Sequence, residues 1–138
     1  MIEPDTAAEL HEVEITDVGY GGDGVGRLAE GLTVFVPFAA VGDRLRIRLS
    51  ERQKRFGRGS IVEILTPGPG RQAPVCRYYG QCGGCVYQHI DADTELKLKV
   101  RQLAALLTRI GGFADLPAID PIVRSPQELG YRNRITLQ

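Results

Sequence analysis

The sequence predicts a small all-β barrel, then a cysteine-rich metal loop, one amphipathic helix and the start of a further α+β domain. Three observations carry that expectation. Residues 11–65 break into short runs of alternating polarity separated by glycine-rich turns, the pattern of a small closed or nearly closed barrel. Cys76, Cys82 and Cys85 are the chain's only cysteines, and all three fall within ten residues. Beyond them the apolar period changes from that of a strand to that of a helix.

The first strands are read at Glu12–Thr16 and Thr33–Pro37, where polar and apolar residues alternate. The clearest is Arg44–Leu49: Arg44, Arg46 and Arg48 share one face, Leu45, Ile47 and Leu49 the other. Ser60–Leu65 supplies another apolar strand, interrupted by Glu63. Gly19, Gly21 and Gly24 spell G-x-G-x-x-G, which would mark a dinucleotide site only if a helix began at the third glycine. Gly26 and Gly31 follow instead, with no helical period, so this stretch is expected to be a glycine-rich hairpin or loop. Tyr20 within it is either a packing residue or an exposed aromatic on which a base could stack.

Pro67, Gly68, Pro69, Gly70 and Pro74 form a stiff linker and mark a boundary. The expected division is a barrel over 1–66, linker and cysteine loop over 67–90, a helix over 91–112, and the start of a truncated central domain over 113–138. In the helix, Leu96, Val100, Leu103, Leu107 and Ile110 make one apolar stripe, expected to be a packing face. Asp91 or Asp93 can cap its start, and Gly111-Gly112 ends it. The last residues, Tyr131 to Gln138, alternate like a strand yet stop without a turn, so the chain is expected to be truncated.

Bulk composition is that of an ordinary globular chain: 138 residues, 43% hydrophobic, 25% charged, net charge zero. No apolar run approaches the ~20 residues that span a bilayer. The acidic start, with Glu3, Asp5 and Glu9, does not fit a signal peptide. With no such apolar run, no membrane partner is expected, and an odd cysteine count without a signal argues for a reducing cytoplasm and for metal chemistry over disulfides. The charge is unevenly spread. Residues 1–30 carry eight acids against Arg27, whereas residues 44–58 carry Arg44, Arg46, Arg48, Arg52, Lys54, Arg55 and Arg58 against Glu51. That cluster is a candidate phosphate-binding strip, to be weighed against a plain solvated strand face.

Three thiolates this close repel one another unless a cation holds them, so metal is the first reading of the cysteine loop. The spacing C-x5-C-x2-C lets Cys82 and Cys85 grip one centre from a tight turn, and Gly83 and Gly84 allow the backbone to fold around it. Three ligands leave a site open. His89, four positions after Cys85, would complete a local Cys3His zinc site.

The order of these parts is a barrel, a Pro-Gly linker, Cys-x5-Cys-Gly-Gly-Cys, a helix ending in Ile-Gly-Gly, then Gly-Tyr-Arg-Asn-Arg. It resembles the N-terminal third of the S-adenosylmethionine-dependent RNA uracil-5-methyltransferases, in the 23S ribosomal RNA branch that carries a TRAM domain. The resemblance implies an OB-like TRAM barrel that binds RNA, with 23S rRNA as the expected partner and no obligate protein partner. It implies that Cys76, Cys82 and Cys85 are three of the four ligands of a 4Fe-4S cluster. The fourth cysteine, the S-adenosylmethionine domain, the nucleophile and the general base would all lie beyond Gln138. No catalytic residue is therefore assigned here, and the chain alone should be inactive. Arg132 and Arg134, in the Tyr-Arg-Asn-Arg segment, are implied RNA contacts, with a structural salt bridge as the alternative for each. Two rivals remain. One is a stand-alone RNA-binding module with the Cys3His zinc site. The other is the TRAM domain of a radical methylthiotransferase, which would place a C-x3-C-x2-C motif ahead of the barrel.

Overall fold

Five strands close the barrel: β1 (Leu10–Val18), β2 (Gly24–Arg27), β3 (Thr33–Val36), β4 (Arg44–Arg52) and β5 (Phe56–Thr66). The computed structural model describes residues 9–134, in two compact units that divide between Asp91 and Ala92. Round the barrel the order is β1-β2-β3-β5-β4. Every neighbouring pair is antiparallel except β3 and β5. The alternation seen in the sequence becomes an inside and an outside. Val13, Ile15, Val34, Val36, Leu45 and Ile47 fill the interior, while the arginines of β4 turn outward. Closure gives each of the five strands a neighbour on both sides.

The stretch expected as a glycine-rich hairpin or loop is the β1–β2 hairpin, with Ile15 opposite Gly26. Its second arm is a true strand. Gly24 and Gly26 are buried in it, and a Cβ at either position would stand 2.6 Å from Ala39 Cβ or 2.5 Å from Val13 Cγ2. The barrel is too narrow there for any side chain, so these glycines are packing residues.

The Pro-Gly linker is tied to the barrel. Asp43, fully buried, accepts hydrogen bonds from the backbone N–H of Ala40 at 2.7 Å and of Gly68 at 2.8 Å. Arg71 donates to the same carboxylate through Nε at 2.9 Å and Nη2 at 2.6 Å. Further on, the Asp91 N–H donates to Gly70 O and the Gln72 N–H to His89 O, each at 2.9 Å. The boundary expected at residues 66–75 is thus bridged, and the barrel's unit runs on through the cysteine loop to Asp91.

The second unit opens with α1 (Ala92–Arg109). Asp93 and Glu95 in its first turn and Arg109 in its last oppose the helix dipole favourably. Its end is closed by N–H groups of Ile110 and Gly111 donating to Leu106 O, with Gly112 at φ 69°. The apolar stripe is displaced from expectation. Leu98, not on the expected stripe, is the buried residue at 2% exposure, while Leu103 is 45% and Ile110 80% exposed. Residues 110–134 form no strand or helix. The expected C-terminal strand falls partly on residues 135–138, which lie outside the described residues.

Candidate nucleic-acid and metal-binding surface

The basic strip and the acidic N-terminal segment are two sides of one ladder. Antiparallel pairing sets Glu12 opposite Arg46 and Glu14 opposite Arg44, and Arg46 opposite Glu63 on β5. Arg44 stands 3.2 Å from Glu12, and Arg46 is 3.6 Å from Glu12 and 2.5 Å from Glu63. Arg52 pairs with Glu30 at 3.3 Å. Arg58 pairs with Asp23 at 3.2 Å and lies 5.9 Å from the Phe35 ring centroid. Exposed pairs such as these contribute ~0–1 kcal/mol each, yet they lower the positive potential offered to a phosphate. Arg48, Lys54 and Arg55 differ. None has an ion pair among the described residues. They sit on β4 and in the β4–β5 turn, and they are the strip's available cations. Arg132 and Arg134 are exposed in the second unit, likewise without an ion pair among the described residues.

The three cysteines are exposed free thiols. Their loop is shaped by backbone turns: the Tyr79 N–H donates to Cys76 O at 3.1 Å, and the Cys82 N–H to Tyr78 O at 2.9 Å. The Cys76 N–H donates to Gln88 Oε1 at 3.2 Å. A Cβ on Gly84 would stand 3.4 Å from Cys82 Sγ, an ordinary contact, and one on Gly83 would meet nothing within 4 Å, so neither glycine is required by crowding. Among the described residues, no three His, Cys, Asp or Glu side chains are gathered to hold a metal ion. The donor set suits a thiophilic centre by its chemistry; the loop as folded does not bring the donors together.

His89 cannot be the fourth ligand. It is buried at 1% exposure. Its Nε2 lies 3.1 Å from Ala39 O and its Nδ1 2.5 Å from the Tyr79 hydroxyl, which also reaches Val86 O at 2.7 Å. Burial depresses its pKa and the Arg71 charge adds to that, outweighing the Ala39 carbonyl and Asp43. A neutral ring with both nitrogens engaged has no lone pair to offer a metal. This removes the local Cys3His site that the spacing permitted. Burial also raises the Tyr79 hydroxyl, with the His89 contact opposing it.

Beside the cysteine loop a cavity of about 270 Å³ opens between the Gly21–Asp23 turn and residues Gly80–Val86, with Phe38 in its wall. Phe38, Asp43, Arg71 and Tyr79 shape this region, and none stood out in the sequence. Their one signal is Arg71 within the Pro-Gly linker, which marks nothing by itself.

The TRAM domain model matches residues 9–62, the barrel from β1 into β5. Over 128 residues the chain is 44% identical to an uncharacterized RNA methyltransferase of Nostoc sp., covering 93% of this chain and 27% of that protein. It is 40% identical over 125 residues to the 23S rRNA (uracil(1939)-C(5))-methyltransferase RlmD of Chromohalobacter salexigens, covering 91% and 26%. Among solved structures, the tRNA (uracil-54, C5)-methyltransferase of Pyrococcus abyssi in complex with S-adenosyl-L-homocysteine is 26% identical, with a TM-score of 0.46. It is covered over 21% of its length and over 70% of this chain. The chain spans about a quarter of the length of its curated relatives. A TRAM domain thus stands at residues 9–62, and the similarity to proteins named RNA methyltransferase runs on from it through the cysteine loop.

Proposed function

We propose that this chain is the RNA-binding and 4Fe-4S-binding part of an S-adenosylmethionine-dependent 23S rRNA (uracil-5-)-methyltransferase, working in the cytoplasm. The observation that carries the reading is the similarity itself. It extends over nine-tenths of the chain, through barrel and cysteine loop alike, to proteins named RNA methyltransferase. Arg48, Lys54 and Arg55 support it as cations free to meet phosphate, which supplies affinity and register without reading sequence. The thiols of Cys76, Cys82 and Cys85 would hold the cluster, with the fourth ligand from outside residues 1–138. A cluster there would be structural, because methyl transfer to uracil C5 moves no electron. Its fixed geometry would gather a loop that does not gather its own thiols.

The test uses the polypeptide extended to the length of its relatives and purified without oxygen. It should transfer methyl groups from S-adenosylmethionine to 23S rRNA, at C5 of a uracil. Methylation of tRNA alone, or of no RNA, would replace this reading.

A further inference from the structure

We infer that the ring of Phe56, on the outer face of the barrel, is the stacking platform for one unpaired RNA base. The inference rests on the RNA-binding reading above and names a contact within it. Along β3 and β5 the residues alternate inward and outward. Val34, Val36, Gly57 and Gly59 are buried, whereas Phe35 and Phe56 stand on the solvent side, half-buried. Neither ring belongs to the core. The parallel register sets Thr33 beside Phe56 and Phe35 beside Arg58. It brings the two rings together edge to face, 5.8 Å apart and at 75° to one another. Arg58 Cζ lies over the Phe35 ring at 5.9 Å, held by Asp23 at 3.2 Å and Glu51 at 3.8 Å. Phe35 is thus occupied by a paired cation and by its neighbour. Phe56 is the ring left to carry a base, and Phe35 sets its tilt.

The plain alternative is a seam contact. β3 and β5 form the barrel's one parallel pair, matched from Thr33 to Phe35, and a cross-strand aromatic pair stabilises such a seam. That accounts for two rings meeting but not for the charge around them. Arg27 stands outward on β2 opposite Thr33, which is in turn opposite Phe56. Lys54 and Arg55 occupy the turn directly before Phe56, closed by the Gln53 N–H donating to Phe56 O at 2.8 Å. None of these three cations has an ion pair among the described residues. Neither ring, nor any of the three, lines the cavity beside the cysteine loop. An aromatic ring among unpaired cations matches a single strand of RNA, whose phosphates meet the cations while an unstacked base lies on the ring. An apolar protein surface docked here would have to desolvate those cations, which is costly.

The test titrates the full chain, purified without oxygen, with a single-stranded RNA of mixed sequence, about 12 nucleotides long, and with an abasic strand of equal length. Phe56→Leu keeps apolar bulk on the seam and removes the aromatic face, whereas Phe56→Tyr keeps both. Phe56→Leu should bind the RNA roughly 5- to 100-fold more weakly than the wild type at an unchanged salt slope, and Phe56→Tyr within about 2-fold of it. The abasic strand should bind all three proteins alike. Phe56→Trp adds a tryptophan to a chain that has none. The RNA should quench its emission and the abasic strand should not. Equal RNA affinity in wild type and Phe56→Leu would overturn the stacking role while leaving RNA binding intact, and so would an equal loss toward both strands. If Phe56→Leu does not fold, unquenched emission from Phe56→Trp bound to RNA overturns the role by itself. A wild-type dimer that Phe56→Leu turns into a monomer, with RNA affinity unaltered, would give the ring to a self-contact instead. Failure of the wild type to bind either strand would remove the underlying RNA reading, and this inference with it.

Discussion

Arg71 and Asp43 form the one buried ion pair among the described residues, joined by two guanidinium nitrogens at 2.6 and 2.9 Å. The pair links the β3–β4 connection to the Pro-Gly linker, within which Arg71 lies. Arg71 also caps the carbonyl of Phe38. One ion pair therefore fixes the linker, Phe38 and the start of the cysteine loop together.

Replacing Asp43 should be costly. Asp43→Ala leaves a mostly buried guanidinium unpaired and two backbone N–H groups without acceptors, so we expect a loss of about 3–5 kcal/mol in denaturant unfolding. Burial alone would raise this carboxyl, but the bonds from Arg71, Gly68 and Ala40 outweigh it and hold the pKa below its ordinary value. A depressed native pKa stabilises the fold above the unfolded carboxyl value of about 4. That contribution fades as pH falls from there through the lower native value. Unfolding midpoints followed down to about pH 2 should show an acid-side loss in the wild type that is smaller in Asp43→Asn. Parallel acid arms in the two proteins would show that Asp43 carries no such linkage.

The strip's arginines should not be equivalent toward RNA. Neutralising Arg48, Lys54 and Arg55 together should lower the slope of log affinity against log salt by about 2, at ~0.7 for each single-strand phosphate left without its cation. Neutralising Arg44 and Arg52, already paired with Glu12 and Glu30, should change it by less than about 0.7. Affinities measured at several salt concentrations decide this. An unchanged slope in the triple variant would make the strip a solvated face.

What was legible in the sequence was whatever side chains announce locally. β4 was plain because arginine alternates with leucine and isoleucine, so its two faces differ in kind. β2 was invisible as a strand because its inward residues, Gly24 and Gly26, have no side chains to alternate. The ion ladder was hidden for a different reason. Glu12 and Arg44 lie 32 residues apart, and only strand pairing brings them together. Asp43 and Arg71, 28 apart, are unremarkable letters until the barrel closes. The cysteine motif could be read, but whether His89 joined it depended on burial, which spacing does not encode.

His89 also gives the metal reading a sharp test. The extended protein, purified without oxygen, should contain iron and sulfide in near-equal amounts, as expected for a 4Fe-4S centre on thiolates. Serine at Cys76, Cys82 or Cys85 should reduce that iron. His89→Gln should leave the iron-to-sulfide ratio unchanged, because the imidazole is occupied by Ala39 O and Tyr79. Residues 1–138 alone should hold substoichiometric, oxygen-sensitive metal. Stoichiometric zinc without iron, lost on changing His89, would restore the Cys3His site.

The helix supplies the last test, since the residue that sequence periodicity favours differs from the one that is buried. By period, Leu103 lies on the apolar stripe with Leu96 and Val100, and a charge there should be severe. In the folded chain Leu103 is 45% exposed, and an aspartate there can keep its hydration. Leu103→Asp in residues 1–138 should therefore change stability by no more than about 0.5 kcal/mol, apart from a small loss of helix propensity. Leu98, at 2% exposure, is where shortening the side chain removes packing. Leu98→Ala should cost about 2–4 kcal/mol, the transfer of the deleted carbons plus the cavity they leave. Denaturant melts followed by helical circular dichroism separate the two variants. A larger loss at Leu103 than at Leu98 would mean that the periodic stripe is the packed face after all.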